Sequence, residues 1–165
     1  FGAKILHPKT IKPLQNKNIP LIVRSFQDIQ SNGTRICLST EERLKIPVYI
    51  IKEDQILLSV SPKDFSFIAE SNLSIIFSVF AKNNVKINLS ENSAISFTAC
   101  VDYDKRKIEN IINELREDYK VLFNTEVRLL TIRNYNDSSA LELIGQKEIL
   151  VEQKSRHTAR YIYKR

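Results

Sequence analysis

A chain of 165 residues with 42% hydrophobic and 27% charged residues has the apolar mass of one ordinary domain or two small ones. Its three glycines, Gly2, Gly33 and Gly145, stand far apart, where average usage of ~7% gives roughly twelve. That excludes a glycine-rich phosphate cradle of the P-loop or dinucleotide type, which needs clustered glycines for close backbone approach.

The net charge of +6 is split along the chain. Residues 1–45 hold eight Lys/Arg against three Asp/Glu, 46–126 nine against twelve, and 127–165 eight against four. Nucleic acid asks for a contiguous basic stripe, so no nucleic-acid partner is expected. In chain order, Pro8, Pro13 and Pro20 punctuate the first segment and leave room for a short helix over 10–16. A short buried strand follows over 19–23, then an Asn32-Gly33 turn and a further short strand over 35–38. A charged connector over 39–45 marks a boundary.

Residues 47–51 and 55–60 are β-branched, apolar runs and read as two strands. Leu73, Ile76, Phe77 and Phe80 recur at i, i+3, i+4 and i+7, one helix face with Ser71 or Asn72 as N-cap. A strand is expected over 85–89. Over 94–101, Ile95, Phe97, Ala99 and Val101 alternate with Ser96, Thr98 and Cys100, the pattern of a half-buried strand. Asp102 or Asp104 can cap a second helix with the stripe Ile108, Ile111, Ile112 and Leu115, and a strand follows over 120–123. The order β-α-β-β-α-β over 55–123 defines an α+β, ferredoxin-like unit. Beyond it come a strand over 127–132, a short helix over 138–144 ending at Gly145, and strands over 148–153 and 158–164. This is a shortened second unit of the same kind, and it needs a borrowed strand to close a core. The basic residues Lys154, Arg156, Arg160, Lys164 and Arg165 read as a solvated strand face.

Cys37 and Cys100 give no disulfide framework, and His7 and His157 are too few and too distant for a metal site, so no metal is expected. No apolar run approaches the ~20 residues of a membrane span, so no membrane partner is expected and the cytoplasm is the default location. The chain opens at Phe1 and contains no methionine, which reads as a piece of a longer protein.

The opening run Phe1-Gly2-Ala3-Lys4-Ile5-Leu6-His7-Pro8-Lys9-Thr10-Ile11, with Pro13 and then Asn18-Ile19-Pro20-Leu21, Val23 and Arg24, resembles aspartate kinase (aspartokinase). The stretch from Phe77 to Leu89 resembles the first ACT helix and second strand of that family. The resemblance implies the tail of a kinase domain and linker over 1–45, a first ACT domain over 55–124, and a second, abbreviated ACT domain made of 46–54 with 125–165. It implies a parent enzyme that uses ATP with Mg to phosphorylate the β-carboxylate of aspartate on the way to lysine, threonine and methionine. Lys4 and Ile5 would belong to its ATP site, where a Lys can set a point charge against phosphate. His7 reads as structural. No catalytic residue and no cofactor are expected in this piece itself.

The family resemblance further implies a homodimer through ACT domains and an amino-acid effector, lysine or threonine, at the interface of paired ACT domains. By position, Ser71, Asn72 and Leu73 at the strand–helix loop and Ile87 and Asn88 on the second strand would hold it. The sequence departs from the family here: Ser71 replaces a loop glycine, and Asn88 replaces an aspartate and gives an ammonium no full countercharge. Two functions follow, an amino-acid-responsive allosteric region and a purely structural dimerisation module. A third reading, an RNA-binding ferredoxin-like sheet, needs stacked exposed aromatics; Phe97 instead lies with the helix-facing set.

Overall fold

The computed structural model describes residues 6–38, 46–64, 66–135 and 143–165. The chain divides into two units, Phe1–Ile46 and Pro47–Arg165. In the first, helix α1 (Pro8–Asn16) is capped by His7, whose Nδ1 accepts from the Lys9 N–H at 3.2 Å. His7 is thus a helix cap. Strands β1 (Leu21–Val23) and β2 (Thr34–Ile36) pair antiparallel. Gly33 enters β2 with φ +66°, and a Cβ there would collide with the Val23 carbonyl oxygen, so only glycine fits. The turn read at Asn32-Gly33 lies between these two strands.

The second unit is a six-stranded antiparallel sheet in the order β4-β5-β3-β6-β8-β7. Its strands are β3 (Val48–Pro62), β4 (Ile87–Asn92), β5 (Phe97–Asp102), β6 (Tyr119–Arg133), β7 (Ile149–Ser155) and β8 (Thr158–Lys164). Helices α2 (Glu70–Lys82) and α3 (Lys105–Leu115) complete the β-α-β-β-α-β unit. The ferredoxin-like, ACT-type fold expected from the sequence is therefore present.

Two pairs of expected strands are fused. The runs over 47–51 and 55–60 form the single fifteen-residue β3, and those over 120–123 and 127–132 the single β6. The charged Lys52-Glu53-Asp54 and polar Asn124-Thr125-Glu126 stretches, which read as gaps, are bulges inside continuous strands. Lys52 pairs with Leu129 and Gln55 with Val127, so β3 carries one extra residue; Leu57 pairs with Asn124, so β6 carries one as well. Asp54 (φ 49°) and Glu126 (φ 57°) adopt the left-handed conformation at these bulges. The two slips cancel in register, and each switches which side chains face which way.

Three apolar clusters result. Ile56, Leu58 and Val60 of β3, Phe97, Ala99 and Val101 of β5 and Tyr119 and Val121 of β6 pack beneath Ile76, Val79 and Phe80 of α2 and Ile108, Ile111, Ile112 and Leu115 of α3. Each fully buried aliphatic side chain contributes roughly 1.5–3 kcal/mol. The α3 stripe is buried as the spacing requires, and Asp104 caps the helix by accepting from the Lys107 N–H at 3.2 Å. In the α2 stripe Phe77 differs: it is 45% exposed and meets Phe97 edge-on, with ring centroids 5.2 Å apart. Val79 takes its place in the core. A second cluster joins Leu57, Leu89 and Cys100 to Val127, Leu129, Val151 and Ile162. It thus ties the α2/α3-covered half of the sheet to the β7–β8 half. A third gathers Leu130, Ile132, Ala159, Tyr161 and Tyr163 around Ile144. Of the helix read over 138–144, residues 136–142 lie outside the described residues; 143–144 are helical and Gly145 follows with φ +61°.

Candidate functional site

Helix α2 begins two residues earlier than a Ser71 cap would start it and three earlier than an Asn72 cap would. Ala69 is the N-cap, and Asn72 in the first turn reaches back to accept from the Ala69 N–H at 2.9 Å. The reason is tertiary: the Ile68 N–H donates to the Ala94 carbonyl at 2.8 Å and fixes the loop before the helix. Glu70 adds a favourable charge in the first turn. The Asn72 amide also donates to the Tyr119 hydroxyl at 3.2 Å. Ser71 is exposed, and Leu73 and Ile87 are half-buried against the helix-covered core.

Asn88 stands elsewhere. The Val85 N–H donates to the Phe80 carbonyl, so the chain leaves the last turn of α2 directly into β4. Asn88 is the bulged residue near the start of β4, where Ile87 pairs with Val101 and Leu89 with Cys100. A thirteen-residue helix is about 20 Å long. Ser71, Asn72 and Leu73 therefore sit at the N-terminal end of α2 and Asn88 beside its C-terminal end. Among the described residues no hydrogen bond joins the two groups.

Asn88 is the centre of a polar cluster that spans three strands. Its Oδ1 accepts from the Lys52 ammonium at 2.9 Å. Its amide nitrogen donates to Gln55 Oε1 at 2.8 Å and to Asp102 Oδ1 at 2.9 Å. Lys52 also donates to both Asp102 oxygens, at 3.0 and 3.3 Å. Gln55 is 2% exposed; its amide nitrogen donates to Asp102 Oδ1 at 2.8 Å and to the Glu53 carbonyl at 2.9 Å. Partial burial pushes the Asp102 carboxyl up, but the hydrogen bonds from Gln55, Lys52 and Asn88 and the Lys52 charge outweigh it and hold the pKa below its ordinary value. Cys100 sits below this cluster. Burial, with the nearby Asp102 charge, pushes its thiol up to about 12, so it stays protonated and unreactive at neutral pH.

The cluster was only partly visible in the sequence. Asn88 stands out by position and Asp102 only as a possible helix cap; Lys52 and Gln55 carry no such mark. The available signal was a polar Gln55 opening an otherwise apolar strand run. Lys4 and Ile5 lie outside the described residues. No group of three or more His, Cys, Asp or Glu arranged to hold a metal occurs among the described residues. No helix among them is long and apolar enough to cross a membrane.

No protein-family model matches the chain. Its fold is shared by the crystal structure of E. coli aspartokinase III in complex with lysine and aspartate, with a TM-score of 0.75 and 20% identity over 96% of this chain and 38% of that one. The aspartate kinase of Clostridium acetobutylicum matches with a TM-score of 0.79 and 16% identity over 99% of this chain and 42% of that one. The fold is thus the ferredoxin-like, ACT-type fold. By sequence, the chain is 30% identical over 106 residues to the lysine-sensitive aspartokinase 3 of Escherichia coli, which is 62% of this chain and 22% of that protein. It is 30% identical over 134 residues to the bifunctional aspartokinase/homoserine dehydrogenase of Buchnera aphidicola, 78% of this chain and 15% of that protein. The homologues of this chain are aspartokinases, and the part of them that it matches is the regulatory region. The chain spans less than a quarter of the length of these relatives.

Proposed function

We propose that this chain is the regulatory and dimerisation region of a cytoplasmic aspartate kinase that uses ATP with Mg, and that it responds to an amino-acid effector. Residues 1–45 are read as kinase-domain tail and linker, 55–124 as the first ACT domain, and 46–54 with 125–165 as the second. Lys4 and Ile5 are assigned to the ATP site of the whole enzyme.

The observation that carries the reading is the separation of the two candidate effector segments. Ser71, Asn72 and Leu73 lie at one end of α2 and Asn88 at the other. A site built from both needs a second copy, turned so that the start of one α2 meets the start of the partner's β4. Open strand edges support such pairing: among the described residues, β6 over 119–124 pairs only with β3, and β3 over 48–52 only with β6. Leu122 and Phe123 are exposed at the β6 edge.

A specific observation favours the structural alternative. The Asn88 oxygen that would receive an effector ammonium already accepts from Lys52. An effector must displace Lys52 or bind beside it, whereas a module that only dimerises needs neither. Calorimetric titration of the chain with lysine and with threonine separates the two. The effector reading expects saturable binding that weakens in the Ser71→Val variant and strengthens in Lys52→Met. Absence of heat with either amino acid at millimolar concentration, on a sample that is still dimeric, leaves only the structural module.

A further inference from the structure

The basic residues Lys154, Arg156, Arg160, Lys164 and Arg165 read as one solvated strand face, but the structure divides them. Glu148 neutralises Lys164 at 2.7 Å and Glu152 neutralises Lys154 at 2.7 Å. Arg165 lies at the far end of β8, where its N–H donates to the Glu126 carbonyl. Arg156 and Arg160 have no ion pair or side-chain hydrogen bond among the described residues. Arg156 is exposed in the turn between β7 and β8, and Arg160 is half-buried. A partly buried guanidinium without a counterion has given up water that nothing replaces, which favours an anion beside it.

The strand register fixes the surroundings of Arg160. It stands across from Gln153 of β7 and Thr131 of β6, and opposed residues of antiparallel strands share a face. Ile162, two residues on, belongs to the apolar cluster of Leu57, Leu129 and Val151, so Arg160 continues that face beyond its apolar part. Two residues back, Thr158 opposes Ser155. A recess of about 410 Å³ opens here, lined by Gln153, Lys154, Ser155, Thr158 and Arg160. Its size falls in the range of small-molecule pockets, about 300–1,000 Å³. None of these five residues belongs to an apolar cluster or to the Asn88 cluster. The Ser155 hydroxyl donates to the Thr158 carbonyl at 3.2 Å and braces the hairpin tip. The Thr158 hydroxyl has no partner among the described residues. The Gln153 amide makes one long bond, 3.4 Å, to the Ser90 carbonyl.

The recess is thus rich in donors, and both carboxylates of the hairpin, Glu148 and Glu152, are engaged elsewhere. Arg156 and Arg160 leave two positive charges unmatched at the tip. A phosphate monoester carries about −1.5 to −2 charges at neutral pH and three acceptor oxygens, whereas a carboxylate matches only one of the two cations. We propose that the tip of the β7–β8 hairpin binds the phosphate group of a small molecule. Arg160 grips it through its planar fork, Thr158 and Gln153 complete the donor set, and Arg156 adds the second charge from the turn. The site takes no amino acid and needs no second copy, and it stands whether or not the chain regulates a kinase.

The test is calorimetric titration of the chain, at fixed ionic strength, with inorganic phosphate, phenyl phosphate and acetate, with thermal melts to verify the folding of each variant. Saturable binding of phosphate and none of acetate is expected. Tighter binding of the ester assigns the source to a phosphorylated organic molecule, and tighter binding of the ion to free phosphate. Arg160→Gln should weaken phosphate binding about tenfold or more, and Thr158→Val about threefold. Arg160→Lys keeps the charge without the fork and should recover only part of the loss. Arg165→Gln removes the same charge away from the recess and should leave binding unchanged, as should Ser71→Val. No saturable binding of either phosphate, equal binding of acetate, or equal losses in Arg160→Gln and Arg165→Gln overturns the proposal. None of these outcomes bears on the lysine and threonine titrations, so the two readings stand or fall separately.

Discussion

Residues 6–38 and the unit from Pro47 to Arg165 contrast in how they treat apolar side chains. Among the residues over 6–38 whose side chains are described, none is buried, and Ile22, Phe26, Ile29 and Leu38 are 51–96% exposed. A two-stranded sheet with one short helix has too little of itself to cover them. From Pro47 onward, Ile56, Leu58, Val60, Phe97, Ile111 and Leu130 are at most 2% exposed, sealed by two helices and by the fold of the sheet. The lesson is that one stretch carries its own core, while the other carries apolar surface that its own residues leave uncovered.

The strongest way to break that contrast is to separate the two parts. A chain of 47–165 should unfold cooperatively on heating and retain its far-ultraviolet dichroism; a peptide of 1–46 should show the dichroism of a coil. The reverse result would mean that the sheet depends on the first segment. Next in size, Phe97→Ala should cost about 3–5 kcal/mol in denaturant melts, whereas Phe26→Ala, at a 96% exposed position, should stay within about 0.5 kcal/mol. A large loss for Phe26→Ala would show that the first segment has a core after all.

Smaller effects sharpen the picture inside the second unit. Asp102→Ala leaves Gln55, Lys52 and Asn88 without their shared acceptor and should cost about 1–3 kcal/mol. The folded Asp102 pKa lies below its unfolded one, so its contribution is present above the ordinary carboxylate value and is lost as pH falls through the depressed value. Wild type and Asp102→Ala should therefore converge in stability in acid and diverge toward neutral pH; a constant difference would mean that the ionised carboxylate is not what counts. Smallest, Asp104→Ala should cost about 1 kcal/mol through loss of the α3 cap.

Much of this fold was legible. The α3 stripe of Ile108, Ile111, Ile112 and Leu115 has the helix period and is buried as that period demands. The alternation of Phe97, Ala99 and Val101 against Cys100 gave the two faces of β5. What stayed hidden was tertiary. Lys52-Glu53-Asp54 reads as a gap because charge seldom sits inside a strand, yet a bulge carries it with the ladder intact on both sides. Ser71 and Asn72 are good N-caps by residue type, but the bond from Ile68 to Ala94 starts α2 earlier. Asn88 could be picked out by position. That Lys52 and Asp102 would enclose it required knowing that β3, β4 and β5 are neighbours.

The central claim is that this regulatory region acts as a pair. Sedimentation velocity across a range of concentrations tests it most directly. The expected result is a reversible dimer of twice the chain mass, weakened when a charge is set on the exposed β6 edge by Leu122→Glu. A monomer at every concentration, or a dimer indifferent to Leu122→Glu and to every other change along the β3 and β6 edges, would contradict it.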